Sequence, residues 1–288
     1  MVVTTGFFDG VHLGHRFMIE RLVAEASRRG CRSLVLTFWP HPRTVLQGGA
    51  GELRLLSTLE EKEQMLCSLG VDCVQVLEFD RAFASLTASE YLRRYVRDRF
   101  GGSVVLIGYD QRMGSDMPSA DSLSGMAAEA GLEPVMAGKC PAEASSTLIR
   151  KALASGNMDA ANSMLGYRYS LGGKVVEGNR IGRTIGFPTA NMELDHPFMT
   201  VPANGVYEVD VETAGGSFKG MCNIGFRPTV GDHAVPTIET NIFDFDRDIY
   251  GQDIKVSFVR KIRDEVKFRS LEALAAQLAQ DKELIYKK

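Results

Sequence analysis

No two of the five cysteines sit together: Cys31, Cys67, Cys73, Cys140 and Cys222 are scattered, without a C-x-x-C pair. That spacing excludes a zinc knuckle or a disulfide framework and is read as buried thiols in a reducing compartment. No run approaches the roughly 20 apolar residues that a membrane-spanning helix needs. The opening residues, Met1 to Gly10, carry neither a basic stretch nor a long apolar core, so no secretory leader is read there. The expectation is a cytoplasmic protein with no membrane partner. A charge excess of one sign is missing too, since 33 Lys and Arg stand against 36 Asp and Glu, a net charge of -3. A broad electrostatic footprint for nucleic acid is thereby excluded, while a small basic pocket for phosphates is not. Fixed-period repeats and low-complexity tracts are also absent.

Core-forming material is plentiful. The 288 residues are 44% hydrophobic and 24% charged, which suits two globular domains. Their periodicities differ. In the first half, short apolar runs (Val2–Thr5, Leu34–Phe38, Val74–Leu77 and Val104–Ile107) alternate with helical patterns at His15–Arg29 and Glu60–Leu69. Continuous apolar strands between helices imply an α/β fold with a parallel sheet covered on both faces. Ligands in such folds bind at the carboxyl ends of the strands. Beyond about residue 170 the period becomes two. Tyr207, Val209 and Val211 are interleaved with acids, and Ile254, Val256 and Phe258 with Lys255 and Ser257. That pattern implies half-buried antiparallel strands in a sandwich or barrel. A final helix follows, with Ser270 as its cap and Leu271, Leu274, Ala275, Leu278 and Ile285 along one stripe. The boundary is expected between domains 1–167 and 168–288.

The first strand runs into Gly6-Phe-Phe-Asp-Gly-Val-His-Leu-Gly-His15. Gly6, Gly10 and Gly14 allow backbone to approach a ligand where a β-carbon would obstruct it. His12 and His15 flank a helix start, whose free N–H groups and positive dipole end favour phosphate. The competing reading of the two histidines is as helix caps or a chance metal pair. In the second half, Gly178, Gly182 and Gly186 punctuate a loop ending in Gly186-Phe-Pro-Thr-Ala-Asn191. It is not a Walker A loop, because Pro188 stands where the helix should start. Glycines alone would fit a plain hairpin. Asp244, Asp246 and Asp248 lack the glycine and distal glutamate of an EF-hand and read as a turn.

The Gly6–His15 run resembles the first motif of the prokaryotic bifunctional riboflavin kinase/FAD synthetases, within the wider H-x-G-H nucleotidyltransferases. Ala144-Ser-Ser-Thr-Leu-Ile-Arg150 is similar to that group's I-S-S-T-x-I-R element. Thr37–Pro42, Leu59–Lys62, Gly70–Asp72 and Gly108–Gly114 resemble further family segments. So do Gly178–Asn191, Gly205–Tyr207, Gly220–Thr229, Ile238–Asp246, Ile249–Gly251 and Arg263–Phe268. The resemblance implies a Rossmann-like FMN adenylyltransferase domain followed by a small antiparallel β-barrel riboflavin kinase domain with a C-terminal helix. It implies ATP as co-substrate, Mg²⁺, and riboflavin, FMN and FAD as ligands. His12 and His15 then serve the transferring phosphoryl group, with Gly6, Asp9, Gly14, Ser146, Thr147 and Arg150 around the triphosphate. Gly178, Gly182 and Gly186 cover phosphates, and Thr189 and Asn191 take the metal position. Glu239 is the base, and Asn223, Arg263 and Glu265 are flavin or loop contacts. Ser-Ser-Thr by itself is also a common helix start, and a lone Glu on a strand commonly faces solvent.

The chain departs from the family pattern in places. Met113 replaces a phenylalanine, and Ser115-Asp-Met-Pro-Ser119 stands where a basic loop is expected; Phe7 and Arg16 also differ. Three other readings compete. A transferase acting on another phosphorylated substrate leaves Gly186–Asn191 and Ile238–Asp246 unexplained. A storage protein needs no base at Glu239. A kinase with weakened adenylylation is compatible with the Met113–Ser119 departure.

Overall fold

The computed structural model describes residues 1–46, 54–178, 181–227 and 235–287. They form two compact units, Met1–Ser146 and Thr147–Lys288.

The first unit carries β1 (Val2–Thr5), α1 (Leu13–Arg28), β2 (Ser33–Trp39), α2 (Pro42–Leu46), α3 (Leu59–Ser68) and β3 (Cys73–Glu78). It continues with α4 (Arg81–Ala84), α5 (Ala88–Tyr91), a π-helix (Leu92–Arg99), β4 (Val104–Ile107), α6 (Ala120–Glu129) and β5 (Glu133–Met136). The strands form one parallel sheet in the order β3-β2-β1-β4-β5. All four residues of β1 and of β4 are buried, which is why both read as unbroken apolar runs. Val3, Val105 and Ile107 pack toward α5, the π-helix and α6, while Val2, Val104 and Leu106 pack toward α1 and α3. Strand order reverses at β1, so the crevice beyond β1 and β4 is the switch point where doubly wound folds bind ligands.

The second unit carries α7 (Ser146–Ser155, beginning on the last residue of the first unit), α8 (Met158–Leu165), β6 (Ser170–Val176), α9 (Ile181–Thr184) and β7 (Ala190–Leu194). There follow β8 (Gly205–Thr213), β9 (Gly216–Arg227), β10 (Val235–Ile242), β11 (Asp253–Arg263) and α10 (Leu271–Tyr286). The strands close into an antiparallel barrel in the order β10-β7-β6-β11-β8-β9. The period of two follows from a single buried face: Val209, Val211, Val256 and Phe258 are buried while Asp210, Lys255 and Ser257 are not. Glu208 departs from the pattern, being buried against Arg260 of the neighbouring strand, with Oε2 2.7 Å from Nε.

Ser270 caps α10, its Oγ accepting from the Ala273 N–H. Ile285 and Leu278 then pack with Val206, Met221 and Phe243. Leu271 does not belong to that stripe; it is 49% exposed, on the first turn of the helix. The α7–α8 segment belongs to the barrel by contact. Asn162 Nδ2 donates to the Phe258 carbonyl (2.9 Å), its Oδ1 accepts from Tyr169 N–H (2.8 Å), and Ala203 N–H donates to the Leu153 carbonyl (2.9 Å). The thiols also differ from expectation. All five are free, but only Cys222 is buried, and Cys67 and Cys73 are exposed at the surface of their elements. Among the described residues no helix is long and apolar enough to cross a membrane.

Candidate active sites

In the first unit, the chain leaves β1 at the switch point through a turn in an uncommon conformation. Phe8 (φ 55°), Gly10 (φ 72°) and Val11 (φ 34°) all have positive φ. Two of the three carry a β-carbon, and such backbone persists only where its surroundings over-determine it. Here they do. The buried Asp9 accepts from the Leu56 N–H (2.9 Å), Gly10 N–H donates to Ser57 Oγ (3.1 Å), and Ser146 Oγ donates to the Asp9 carbonyl (3.2 Å). A β-carbon on Gly6 would lie 2.9 Å from Phe8 Cζ, so that glycine makes room for the ring inside the turn.

The turn delivers His12 to the N-cap of α1, in extended backbone and without a capping hydrogen bond from its side chain. Its ring stacks on that of His15, with centroids 3.7 Å apart and planes at 19°. A stacked pair does not converge two nitrogens on one ion, and no metal-holding group of three His, Cys, Asp or Glu occurs among the described residues. Gly14 is explained by the same stack: a β-carbon there would lie 3.2 Å from His12 Cε1 and 3.4 Å from the Ala144 carbonyl oxygen. Phe8 meets His15 edge-on at 5.3 Å. Burial, then the neighbouring His12, then Lys62 hold the His15 imidazole well below its ordinary value, so it is neutral near pH 7. The first turn of α1 has no acidic residue to compete with an anion.

Beside this turn lies a cavity of about 560 Å³ lined by Phe7, Phe38, Phe79, Phe83, Tyr91 and Met113. Ser115 and Met117 also line it, with Arg112 the cation among the lining residues. The departure at Met113–Ser119 thus falls on an apolar wall. Asp116 has a structural task there, accepting from the Ala88 N–H at the start of α5 (2.9 Å). Gly114 (φ 75°) is required, because a β-carbon would lie 2.3 Å from Ala88 N. Gly6, Asp9, His12, Gly14, His15 and Ser146 are therefore assembled in one unit. Thr147 and Arg150 follow on α7, Thr147 exposed and Arg150 half-buried.

In the second unit the barrel register forms a row. Glu239 on β10 pairs with Asn191 on β7 and with Asn223 on β9. Residues directly opposite share a sheet face with β-carbons roughly 4.5–5.5 Å apart, so one carboxylate is flanked by two amides. Ile238 and Thr240 on either side are buried, which puts Glu239 on the other face, half-buried. A β-carbon on Gly178 would lie 2.1 Å from Asn191 Nδ2, and one on Gly182 2.2 Å from the Phe187 carbonyl oxygen and 3.6 Å from Thr189 Cγ2. Gly186 has φ 82°, the left-handed region a β-carbon disfavours. Asn241 Nδ2 donates to the Pro188 carbonyl (2.6 Å), tying the Phe187–Asn191 segment to β10. A second cavity of about 560 Å³ opens on the Thr240 side of β10, the face opposite Glu239, lined by Arg183, Pro188, Thr189, Thr240, Phe245 and Arg247. Asp246 and Asp248 also border it, on an irregular segment without strand or helix.

Glu265 approaches the row: a β-carbon on Gly225 would lie 2.9 Å from Glu265 Oε1 and 3.6 Å from Asn223 Nδ2. Arg263 is engaged differently. Its Nε and Nη2 donate to Asp281, buried on α10, at 2.9 and 2.8 Å, which fastens the helix to β11. Asn179, Arg180, Pro228 and Thr229, members of the family-like motifs, lie outside the described residues. One buried residue was not singled out from the sequence as part of a site. Lys62 lies in the family-like Leu59–Lys62 segment but is spaced as an ordinary helix lysine, and it is only 2% exposed.

Comparisons with known proteins agree on both units. A family model described as FAD synthetase matches residues 1–146, and one described as riboflavin kinase matches residues 165–288. Curated proteins of Listeria monocytogenes and Escherichia coli, each named bifunctional riboflavin kinase/FMN adenylyltransferase, are 36% and 37% identical to this chain. The alignments cover 98% and 97% of the chain and 90% of each relative. A crystal structure from Streptococcus pneumoniae, described as a macrolide-efflux protein, superposes with a TM-score of 0.90 at 34% identity, covering 100% of this chain and 94% of that one. With both family models matched in order and curated relatives aligned over nearly the whole length, the chain belongs to the bifunctional riboflavin kinase/FMN adenylyltransferase family.

Proposed function

We propose that the second unit transfers the γ-phosphoryl group of ATP to riboflavin, and that the first transfers the adenylyl group of another ATP to the FMN so formed. The observation that carries the kinase assignment is the row Asn191–Glu239–Asn223, with the glycine loop closing on its Asn191 at Gly178. Glu239 takes the proton of the ribityl hydroxyl as its oxygen attacks the γ-phosphorus, and ADP leaves. Gly178, Gly182 and Gly186 let backbone close over the phosphates, and Arg183 and Arg247 supply positive charge in the cavity. Thr189 and Asn191 offer hard oxygen donors, a set that fits Mg²⁺, which commonly takes one or two protein ligands with substrate phosphates and water. Bound Mg²⁺ neutralises phosphate charge. Asn223 and Glu265 contact the flavin, and Arg263 serves that wall through its pair with Asp281.

In the first unit, the aromatic cavity takes the flavin ring of FMN, whose phosphate oxygen attacks the α-phosphorus of ATP as pyrophosphate leaves. His12 and His15 stabilise the charge that develops, Gly6 and Gly14 give the turn its shape, and Asp9 holds that turn in place. Ser146 positions the triphosphate. Free, scattered thiols fit a reducing cytoplasm. The test is direct: protein, riboflavin, ATP and Mg²⁺ are incubated and the flavins separated by chromatography. FMN should appear first, then FAD with pyrophosphate. Absence of both products refutes the proposal.

We place the functional boundary at 167/168, with α7 and α8 bracing the barrel from outside. A fragment of residues 168–288 is expected to make FMN and no FAD. A fragment of residues 147–288 should do the same with a higher unfolding midpoint, because it keeps the Asn162 and Leu153 hydrogen bonds. Equal midpoints would remove the bracing role, and FAD from either fragment would contradict the division of labour.

A further inference from the structure

Lys62 is a buried cation under the adenylyltransferase turn, and nothing in the reaction as described uses it. It is 2% exposed, on the first turn of α3. Its Nζ donates to the Phe7 carbonyl at 3.1 Å and lies 4.0 Å from the centroid of the Phe7 ring. That ring also meets His41 edge-on, with centroids 4.1 Å apart. Phe7 is the residue before the turn whose Phe8, Gly10 and Val11 have positive φ, so the bond holds the backbone where the turn departs from β1. An isolated buried ammonium is costly unless its protons and charge are met. Here a carbonyl and an aromatic face meet it directly, and the carboxylates of Asp9 (from the turn) and Glu63 (from α3) act on it through space.

We propose that Lys62 is a positioning residue for adenylyl transfer, its buried ammonium clamping the Phe7 carbonyl so that the turn presents His12 and His15 in their stacked arrangement. The inference rests on the placement of the adenylyl-transfer site at those histidines. Lys62 does not touch substrate in this account; it acts through the backbone. The titratable groups that face it are Asp9 from the turn, Glu63 from its own helix and the neutral His15 from α1. Burial lowers the lysine to about 8, with Asp9 and Glu63 opposing that effect. The ammonium is therefore charged at pH 7 and loses its proton as pH rises through about 8. The neutral amine keeps two N–H groups but loses the charge-assisted bond and the cation–π contact.

The test follows FAD formation from supplied FMN in the full chain. Wild-type kcat should fall along an alkaline limb near pH 8. Lys62→Arg keeps the charge at all working pH and should lack that limb. Lys62→Met should lower kcat about tenfold or more, with KM for ATP and FMN changed by less than about threefold, because only the alignment is lost. FMN formation by the other unit should be unaffected. Should Lys62→Met fail to fold, the limb in wild type against Lys62→Arg still decides. A limb that persists unchanged in Lys62→Arg, or a wild-type kcat in Lys62→Met, overturns the proposal. Normal FAD formation in both His12→Ala and His15→Ala faults the placement of the site instead.

Discussion

Glu239→Gln is expected to slow FMN formation by about 10² or more, the usual range for loss of a general base. The amide has the shape of the carboxylate and can still hydrogen-bond between Asn191 and Asn223, but it cannot accept the ribityl proton. A half-buried strand position that keeps its volume should cost little stability, within about 0.5 kcal/mol. The measurement is initial FMN formation from riboflavin and ATP, beside FAD formation from supplied FMN. The second rate should be that of wild type, since Glu239 lies in the unit that does not carry His12 and His15. A companion variant separates chemistry from metal binding. Asn191→Ala should raise the Mg²⁺ concentration needed for half-maximal rate, whereas Glu239→Gln should leave it unchanged. Wild-type FMN formation in Glu239→Gln would move the base elsewhere.

The legible parts of this fold are those whose burial is set locally. β1 and β4 are buried on both faces, so Val2–Thr5 and Val104–Ile107 announce themselves as continuous apolar runs. The barrel has one buried face, so Val209 and Val211 alternate with Asp210. Where burial depends on distant chain, local pattern fails. Leu271 has the spacing of a core residue but lies exposed. Lys62 is spaced like a surface lysine, yet its partner is the Phe7 carbonyl, 55 residues away. Asp281 sits on α10 as an ordinary helix acid would, yet it is buried against Arg263, 18 residues back. Glu208 reads as an outward strand acid and is buried against Arg260, 52 residues away. The site shows the same division. Motifs named Glu239, Asn191 and Asn223 separately, and only the barrel register puts them in one row.

His12→Ala and His15→Ala should each reduce FAD formation by about 10²-fold or more, the range for removing one preorganised donor to a developing charge. ATP affinity should change far less, because the donors act on charge present chiefly in the transition state. His15→Ala also removes the ring on which His12 stacks, so the two losses should not add; the double variant should resemble the more damaged single one. The pH profile has a definite sign. His15 is held below its ordinary 6.5 by burial, His12 and Lys62, so it stays neutral as pH falls through that value. FAD formation should therefore persist at pH 6, and its acid limb should lie lower. FMN formation by the same molecules reports on the integrity of the other unit and should not change. The cavity wall at Met113–Ser119 bears directly on the outcome, since it offers Met113 where the family pattern has a phenylalanine and Met117 where that pattern has a basic loop. If wild-type protein given FMN, ATP and Mg²⁺ yields neither FAD nor pyrophosphate, the chain is a riboflavin kinase whose adenylyltransferase fold has lost its activity. If FAD forms at normal rates in both histidine variants, the transferring group is held elsewhere, and the stacked pair only shapes the turn.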